Sequence, residues 1–345
     1  VRLPEVVIVI PHCNGRDILL RCLDSLQHDG YDKKRVLLVD NASTDGSVQE
    51  AQQAYPALEV LSLQRNLGFS GGVNAGIRSV EAEIIVLLNN DTVVTPGWLE
   101  PLVSALTGGD QIAAVQPKLR SFYSQELFDY AGGAGGEIDR WGYPFCWGRI
   151  FTTREPDAGQ YNTARNIFWA SGSASAWRRS AVMDAGLLDE DFFAHMEEID
   201  LCWRLHLMGY EIRYEPASTV YHCSGGTLGE EAFRKKFLNH RNSWVVLLKN
   251  YRWGNVLKTL PLRIVLDLIT IPYALLVWGD LKRALAVLGS WFSVVVGLPR
   301  WLKSRRGVQL LRRVPDSVVL KRIYPHSIAW QYFFRKIATA DKLPW

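Results

Sequence analysis

Three carboxylates fall within four positions of Phe192-Phe193-Ala194-His195-Met196-Glu197-Glu198-Ile199-Asp200-Leu201-Cys202-Trp203-Arg204, a segment otherwise apolar and aromatic. On a helix, Glu197 and Asp200 share a face while Glu198 points about 100° away, so the carboxylates can hold different roles. Apolar surroundings raise a carboxylate pKa, as a general base working near neutrality requires. Asp200 has Arg204 at (i, i+4), a pairing suited to fixing the helix, which leaves the two glutamates as candidate bases. A solvated acidic face is the plain alternative; the flanking Phe, Met, Ile, Leu and Trp residues count against it.

Other polar clusters each close an apolar run. Pro11 to Asn14 follows EVVIVI. Asp40-Asn41-Ala42-Ser43-Thr44-Asp45-Gly46-Ser47 follows RVLLV; Asp40 could accept hydrogen bonds from a base or ribose, and Ser43 or Asp45 could cap the next helix. In Asn66-Leu67-Gly68-Phe69-Ser70-Gly71-Gly72-Val73-Asn74, three glycines could let backbone N–H groups face an anion at a helix start, or could serve a tight packing turn. Arg65, just before it, could pair with phosphate. Asn89-Asn90-Asp91 ends the run EIIVLL, and a carboxylate there suits Mg²⁺ or Mn²⁺ shared with a diphosphate, because hard cations take oxygen ligands. His222, in Tyr221-His222-Cys223-Ser224-Gly225-Gly226, could ligate a metal through one ring nitrogen. Arg234, Lys235, Lys236 and Arg241 could reach a diphosphate once the Gly-rich loop closes, or could form one solvated helix face.

These clusters need elements to position them. Short apolar runs alternate with amphipathic segments through residue 94, which predicts α/β architecture with a mostly parallel, Rossmann-like sheet flanked by helices. EIIVLLNNDTVV reads as its single fourth strand. Ligands bind beyond the carboxyl ends of such strands, where the first four clusters fall together. From Gln116 to Ala170 the pattern turns irregular and rich in Gly and aromatics, which predicts loops and short strands around an acceptor cleft.

The chain's 345 residues allow one large core or a catalytic domain with an appendage. Five cysteines with no C-x-x-C pair suggest neither a disulfide framework nor a zinc cluster, and favour a reducing compartment. The net charge of +4 conceals a split: residues 1–228 carry −11 and residues 229–345 carry +15. A basic, apolar tail favours anionic lipid over nucleic acid as its partner. No signal peptide is expected, since Val6 to Ile10 is a short apolar run ending at Pro11. Ala284 to Pro299 has 16 uncharged residues, short of the roughly 20 a spanning helix needs. Leu260 to Trp278 is interrupted by Pro261, Arg263, Asp267 and Pro272. A helical hairpin lying on the membrane, or partly inserted, fits both.

Taken in order, VVIVIPHCN, VDNASTDGS, RNLGFSGGVN, LLNNDT, WASGSA, GLLDEDFFAHMEEIDLCWRL, GY, VYHCSGGTL and FLNHRN resemble a family-2 glycosyltransferase of GT-A fold over about Glu5 to Asn250. The sequence is especially similar to bacterial members that build rhamnose-containing or other surface polysaccharides. The resemblance implies that Asp40 recognises the base, with Pro11 and Asn14 lining its pocket. It places Asn89-Asn90-Asp91 at the family's Asp-x-Asp position, with Asp91 and His222 on a divalent metal. Glu198 matches the second position of the family's Glu-Asp pair, the usual base. Asn89 stands where an acidic residue is common, and Glu198 is longer than the usual Asp by a methylene, so Glu197 stays a candidate.

The expected nucleotide-sugar pocket further includes Asn41, Asp45, Arg65, Asn66, Gly68, Phe69, Gly71, Asn74, Asn89, Asn90 and Arg241; Trp169, Gly172 and His195 are expected on the acceptor side. The expected organisation is a GT-A domain over 1–250 (1–115 donor half, 116–228 acceptor half, 229–250 closing helix) and a membrane-associated tail over 251–345. The implied reaction is inverting transfer from a dTDP- or UDP-sugar to a saccharide or polyprenyl-diphosphate-linked saccharide, at the cytoplasmic face of the inner membrane. A non-catalytic sugar-nucleotide-binding scaffold and a sugar nucleotidyltransferase are the competing readings.

Overall fold

The computed structural model describes residues 3–223 and 233–345. Ser224 to Gly226 of the His222 motif, the start of the predicted closing helix at 229–232 and the Gly-rich loop itself lie outside the described residues.

The amino-terminal half runs β1 (Val6–His12), α1 (Arg16–Ser25), β2 (Lys34–Asp40), α2 (Ser47–Ala54), β3 (Glu59–Ser62), α3 (Gly68–Ser79), β4 (Ile84–Leu88), β5 (Thr92–Val94), α4 (Leu99–Thr107) and β6 (Ile112–Ser121). Five short strands follow: β7 (Gly136–Ile138), β8 (Pro144–Cys146), β9 (Arg149–Ile150), β10 (Thr153–Arg154) and β11 (Arg165–Ile167). Then come β12 (Ala174–Arg178), α5 (Arg179–Asp184), α6 (Glu197–Leu207) and β13 (Glu211–His222). The rest is helical: α7 (Phe233–Asn250), α8 (Trp253–Leu276), α9 (Leu281–Val296), α10 (Leu298–Leu311), α11 (Asp316–Val319) and α12 (Ile328–Phe333).

The main sheet has the order β11-β13-β6-β12-β4-β1-β2-β3, with β5 paired to β13. Strands β3, β2, β1 and β4 are parallel. β12 lies antiparallel between β4 and β6, and β6 and β13 are again parallel. Alternation along β1, β2 and β4 divides the core, as the period of two requires. Val7, Val9, Leu37, Val39, Ile85 and Leu87 face one cluster with α3, α6 and α7; Val6, Ile8, Ile10, Leu38, Val86 and Leu88 face another with α1 and α4. Strands covered on both faces read as continuous apolar runs, which is why β1 and β4 have no polar face. β7 to β10 form a separate small sheet.

One element departs from expectation. EIIVLLNNDTVV is two strands, not one, because the chain breaks at Asn89–Asp91 and β5 leaves β4 to pair with the end of β13. Three polar residues in succession end a buried strand, since their side chains need partners that a two-sided apolar core does not supply.

Candidate active site

The strand ends of the donor half are tied together by side-chain amides. Asn14 Oδ1 accepts from Thr44 N, and Asn14 N donates to Ser43 Oγ. Ser43 N donates to Asp40 Oδ1, at the end of β2. Asn41 is buried: its Nδ2 donates to Gly68 O and its Oδ1 accepts from Leu67 N, so it pins the glycine loop. His12 joins the next pair. Its Nδ1 lies 2.8 Å from Asn90 Nδ2, which can only donate, so Nε2 carries the proton and donates to Ser47 Oγ; that hydroxyl donates to Asp45 Oδ1. Burial lowers the His12 pKa, against the opposing pull of Asp45 and Asp40, and keeps the ring neutral as this chain requires.

The break after β4 brings Asp91 to His222. Asp91 Oδ1 and His222 Nε2 lie 3.2 Å apart, both residues buried at neighbouring strand ends. Among the described residues Asp91 Oδ1 has no partner other than this contact, and the buried Asn89 Oδ1, close by in sequence, has no hydrogen bond. On its other side His222 Nδ1 meets Asp129 Oδ2 at 3.0 Å. Burial alone would lower the His222 pKa, but Asp129 and Asp91 outweigh it and hold it well above the ordinary value. No three His, Cys, Asp or Glu side chains gather as a metal cluster among the described residues. Asp91 and His222 are the residues that would hold a hard divalent cation, His222 with Nε2 deprotonated, and ligand and water oxygens would fill its remaining positions.

Helix α6 presents the carboxylate pair. Glu197 and Glu198 occupy its first turn, each with a buried Oε2 that has no hydrogen-bond partner among the described residues. Burial raises both pKa values, that of Glu198 to about 7, and Glu198 raises Glu197 further. Asp200 is instead fully satisfied as the anchor expected: Arg204 Nε and Lys249 Nζ each lie 2.9 Å from Oδ2, and Asn250 Nδ2 donates to Oδ1 at 2.8 Å. The turn entering the helix is strained, since Phe193, His195 and Met196 have φ of 66°, 69° and 72°. Two sets of donors hold it. Phe69 N donates to Phe193 O, and Asn242 Nδ2 reaches the carbonyls of Phe192, Ala194 and His195. At Gly68, itself at φ 73°, a Cβ would lie 2.7 Å from Phe193 O, so only glycine lets α3 start this close to the turn.

The sequence pattern that defines Glycosyl transferase family 2 matches residues 7–184, a span covering every strand end described except that of β13. This chain belongs to glycosyl transferase family 2. Among curated glycosyltransferases it is 29% identical over 227 residues to the N-acetylglucosaminyl-diphospho-decaprenol L-rhamnosyltransferase of Mycobacterium tuberculosis, covering 61% of this chain and 74% of that protein. It is 26% identical over 241 residues to a poly-beta-1,6-N-acetyl-D-glucosamine synthase of Staphylococcus aureus, covering 66% of this chain and 52% of that one. The fold is that of GalNAc-T7, solved with UDP, GalNAc and Mn²⁺ (TM-score 0.58, 18% identity, 72% of this chain and 48% of that chain). It is also that of the mannosyltransferase PcManGT from Pyrobaculum calidifontis, solved with GDP-Man and Mn²⁺ (TM-score 0.52, 16% identity, 97% and 88%). The chain is a glycosyltransferase with a GT-A sheet and a carboxyl-terminal helical region.

Within this family-2 domain, three of the expected ligand residues make hydrogen bonds to the protein's own backbone and side chains. Asn74 is buried, its Nδ2 donating to Leu188 O and Glu190 Oε1 and its Oδ1 accepting from Leu188 N, because α3 packs against the loop before α6. Arg241 Nη2 donates to the carbonyls of Asp191 and Phe192 and Nε to Asn242 Oδ1, so it braces the strained turn. Trp169 is a core residue whose Nε1 donates to Glu137 O.

The remaining expected residues lie around the cleft-side loops. Pro11 ends the apolar run of β1, and Asn66 reaches Cys13 Sγ while accepting from Gly68 N. Gly71 packs in the interior of α3, and Arg65 is exposed. A Cβ on Gly172 would meet the Phe69 ring at 3.0 Å, so the segment before β12 and the glycine loop touch there. His195 carries a buried Nε2 with no hydrogen-bond partner among the described residues, and burial lowers its pKa to about 4. Of the downstream cations, Lys236 pairs with Asp280, and Arg234 lies over the Phe193 ring. Asp129, Asn242 and His12 were missed as site-forming residues. Asp129 sits in the irregular stretch with no local signal, whereas Asn242 lies inside FLNHRN and His12 inside the first polar cluster.

Proposed function

We propose that this glycosyltransferase inverts configuration, moving a sugar from a dTDP- or UDP-sugar to a hydroxyl of a saccharide or polyprenyl-diphosphate-linked saccharide during cell-surface polysaccharide synthesis. The observation that carries the reading is the Glu198 carboxyl at the head of α6, whose buried Oε2 has no hydrogen-bond partner among the described residues and whose pKa is brought to about 7. Such a group removes a proton from an acceptor hydroxyl near neutral pH. The deprotonated oxygen attacks the anomeric carbon, the bond to the diphosphate breaks, and configuration inverts in one displacement. Glu197, more deeply buried and coupled to Glu198, supports its neighbour or contacts the acceptor. Asp40, Asn14 and Pro11 hold the base end, and Arg65, beside the glycine loop, is the nearest candidate cation for the diphosphate. Mg²⁺ or Mn²⁺ on Asp91 and His222 would stabilise negative charge on the leaving diphosphate. The names of the rhamnosyltransferase and the polysaccharide synthase, and the basic tail, support a lipid-linked or polymer acceptor met at the cytoplasmic face of the inner membrane.

The test is a panel of nucleotide-sugar donors with Mn²⁺ and a lipid-linked disaccharide acceptor, read by nucleotide-diphosphate release and by NMR of the new anomeric centre. Release of pyrophosphate, or a retained anomeric configuration, overturns the reading.

A further inference from the structure

The carboxyl-terminal helices carry an apolar surface that no part of the described chain covers. Among the described residues, 19 of the 29 exposed large hydrophobic side chains lie between Trp253 and Leu298, among them Leu276 (85% exposed), Phe292 (73%) and Val295 (69%). Every exposed residue from 259 to 279 is uncharged. The two charges in that stretch, Arg263 and Asp267, are buried and bind the catalytic domain: Arg263 donates to Trp141 O and Ser243 Oγ, and Asp267 accepts from Tyr143 and Trp244, and also from Trp291 of α9. α8 is long and apolar enough to cross a membrane by composition. Its middle is nevertheless bonded to the domain, so it lies along the protein with one face outward.

Around this face the exposed charge is mainly positive, with Arg300 paired to Asp191. Arg252, Lys258, Lys282, Arg300, Lys303 and Arg306 are exposed, while the only acidic residues from 251 to 310, Asp267 and Asp280, are both ion-paired. At the open end of the α8–α9 hairpin, where α10 turns away from α9 by 72°, a cavity of about 510 Å³ is lined by Arg252, Trp253, Leu302, Arg305, Arg306 and Gln309. The Arg305 side chain forms its floor, fixed to the carbonyls of Leu248 and Tyr251. The exposed Arg252 and Arg306 flank this mostly apolar cavity, no carboxylate lines it, and its walls begin the apolar helices.

We propose that the α8–α9 face lies in the plane of an anionic bilayer, and that the exposed Arg252 and Arg306 beside the cavity pair with the phosphate of an anionic lipid headgroup. Apolar side chains enter the acyl boundary, and guanidinium groups at its rim pair with phosphate. The inference deepens the membrane-surface part of the proposed function and makes no use of the catalytic residues.

The test is cosedimentation of the full chain with phosphatidylcholine vesicles, with and without phosphatidylglycerol, at low and high salt. Binding should need the anionic lipid and weaken with salt. The pair Arg252→Gln/Arg306→Gln should weaken it about tenfold or more, and the pair Leu276→Ser/Phe292→Ser should abolish it. UDP or dTDP binding with Mn²⁺ should stay unchanged in both, which excludes misfolding. Equal binding to neutral and anionic vesicles overturns the headgroup site. A dimer in light scattering that Phe292→Ser dissociates, with vesicle binding unaltered, overturns the lipid assignment in favour of a second copy. Sugar transfer in detergent solution is a separate readout; if it persists while vesicle binding fails, this proposal alone falls.

Discussion

Asp129 Oδ2 lies 3.0 Å from His222 Nδ1, across the ring from Asp91, and the same oxygen accepts from Ala131 N at 2.6 Å. A fully buried carboxylate in that position fixes the ring's orientation and leaves Nε2 aimed at Asp91. Asp129→Asn should therefore weaken Mn²⁺ binding about 10- to 100-fold while changing nucleotide affinity measured without metal little. Calorimetric titration of Mn²⁺ with and without UDP reads both. Unchanged Mn²⁺ affinity would remove Asp129 from the metal's support.

Glu198 should behave as the base. Glu198→Gln keeps the size and removes proton acceptance, so turnover should drop by about 10²-fold or more with donor affinity nearly intact. In the wild type, turnover should rise with pH through a midpoint of about 7 as Glu198 loses its proton. A pH–rate profile flat from about pH 5 to 9, or a fully active Glu198→Gln, would move the base to Glu197 or off this helix.

The same burial has an opposite effect on stability. Glu198 has a folded pKa raised from 4.5 to about 7, and Glu197 is raised further. Between the unfolded value and the folded one the native chain binds more protons, so their contribution is present below about pH 4.5 and is lost as pH rises through about 7. Glu197→Gln and Glu198→Gln should both melt above the wild type at about pH 8, with the gap closing at acid pH. Thermal unfolding across pH reads it, and a constant gap would mean that the carboxylates are solvated.

Asn242 donates to three carbonyls of a turn in which three residues have positive φ. Asn242→Ala leaves them buried without that donor, costing about 1–3 kcal/mol, and lets the turn relax. Turnover should fall more than donor affinity, because the turn places α6 and not the nucleotide loops. Equal losses in both would show that Asn242 acts only on overall stability.

Lys249 and Arg204 share Asp200 inside the core. Removing one cation leaves a buried charge short of its partner, so Lys249→Met should destabilise by about 3–5 kcal/mol. Denaturant unfolding gives the value, and a loss under about 1 kcal/mol would place Asp200 in contact with water.

The apolar runs of β1, β2 and β4 and the polar residues that close them were legible because a buried parallel strand imposes a continuous apolar stretch and its end releases that demand. The carboxylate-rich segment at 197–200 was legible for a similar reason: charge amid aromatics is rare unless it is anchored or used. Even the split within it was readable, since Asp200 and Arg204 sit one helical turn apart. What sequence could not supply was any relation between residues distant along the chain. Asp91 meets His222 only because β5 leaves β4 for β13, and Asp129 joins them from a stretch with no periodicity. Asn74 and Arg241 read as ligand residues by type and place; their partners, the loops at 188–190 and 191–192, come to them only in the folded chain. A side chain's type records what it can bond, whereas what it does bond depends on which backbone groups the packing brings within 3 Å.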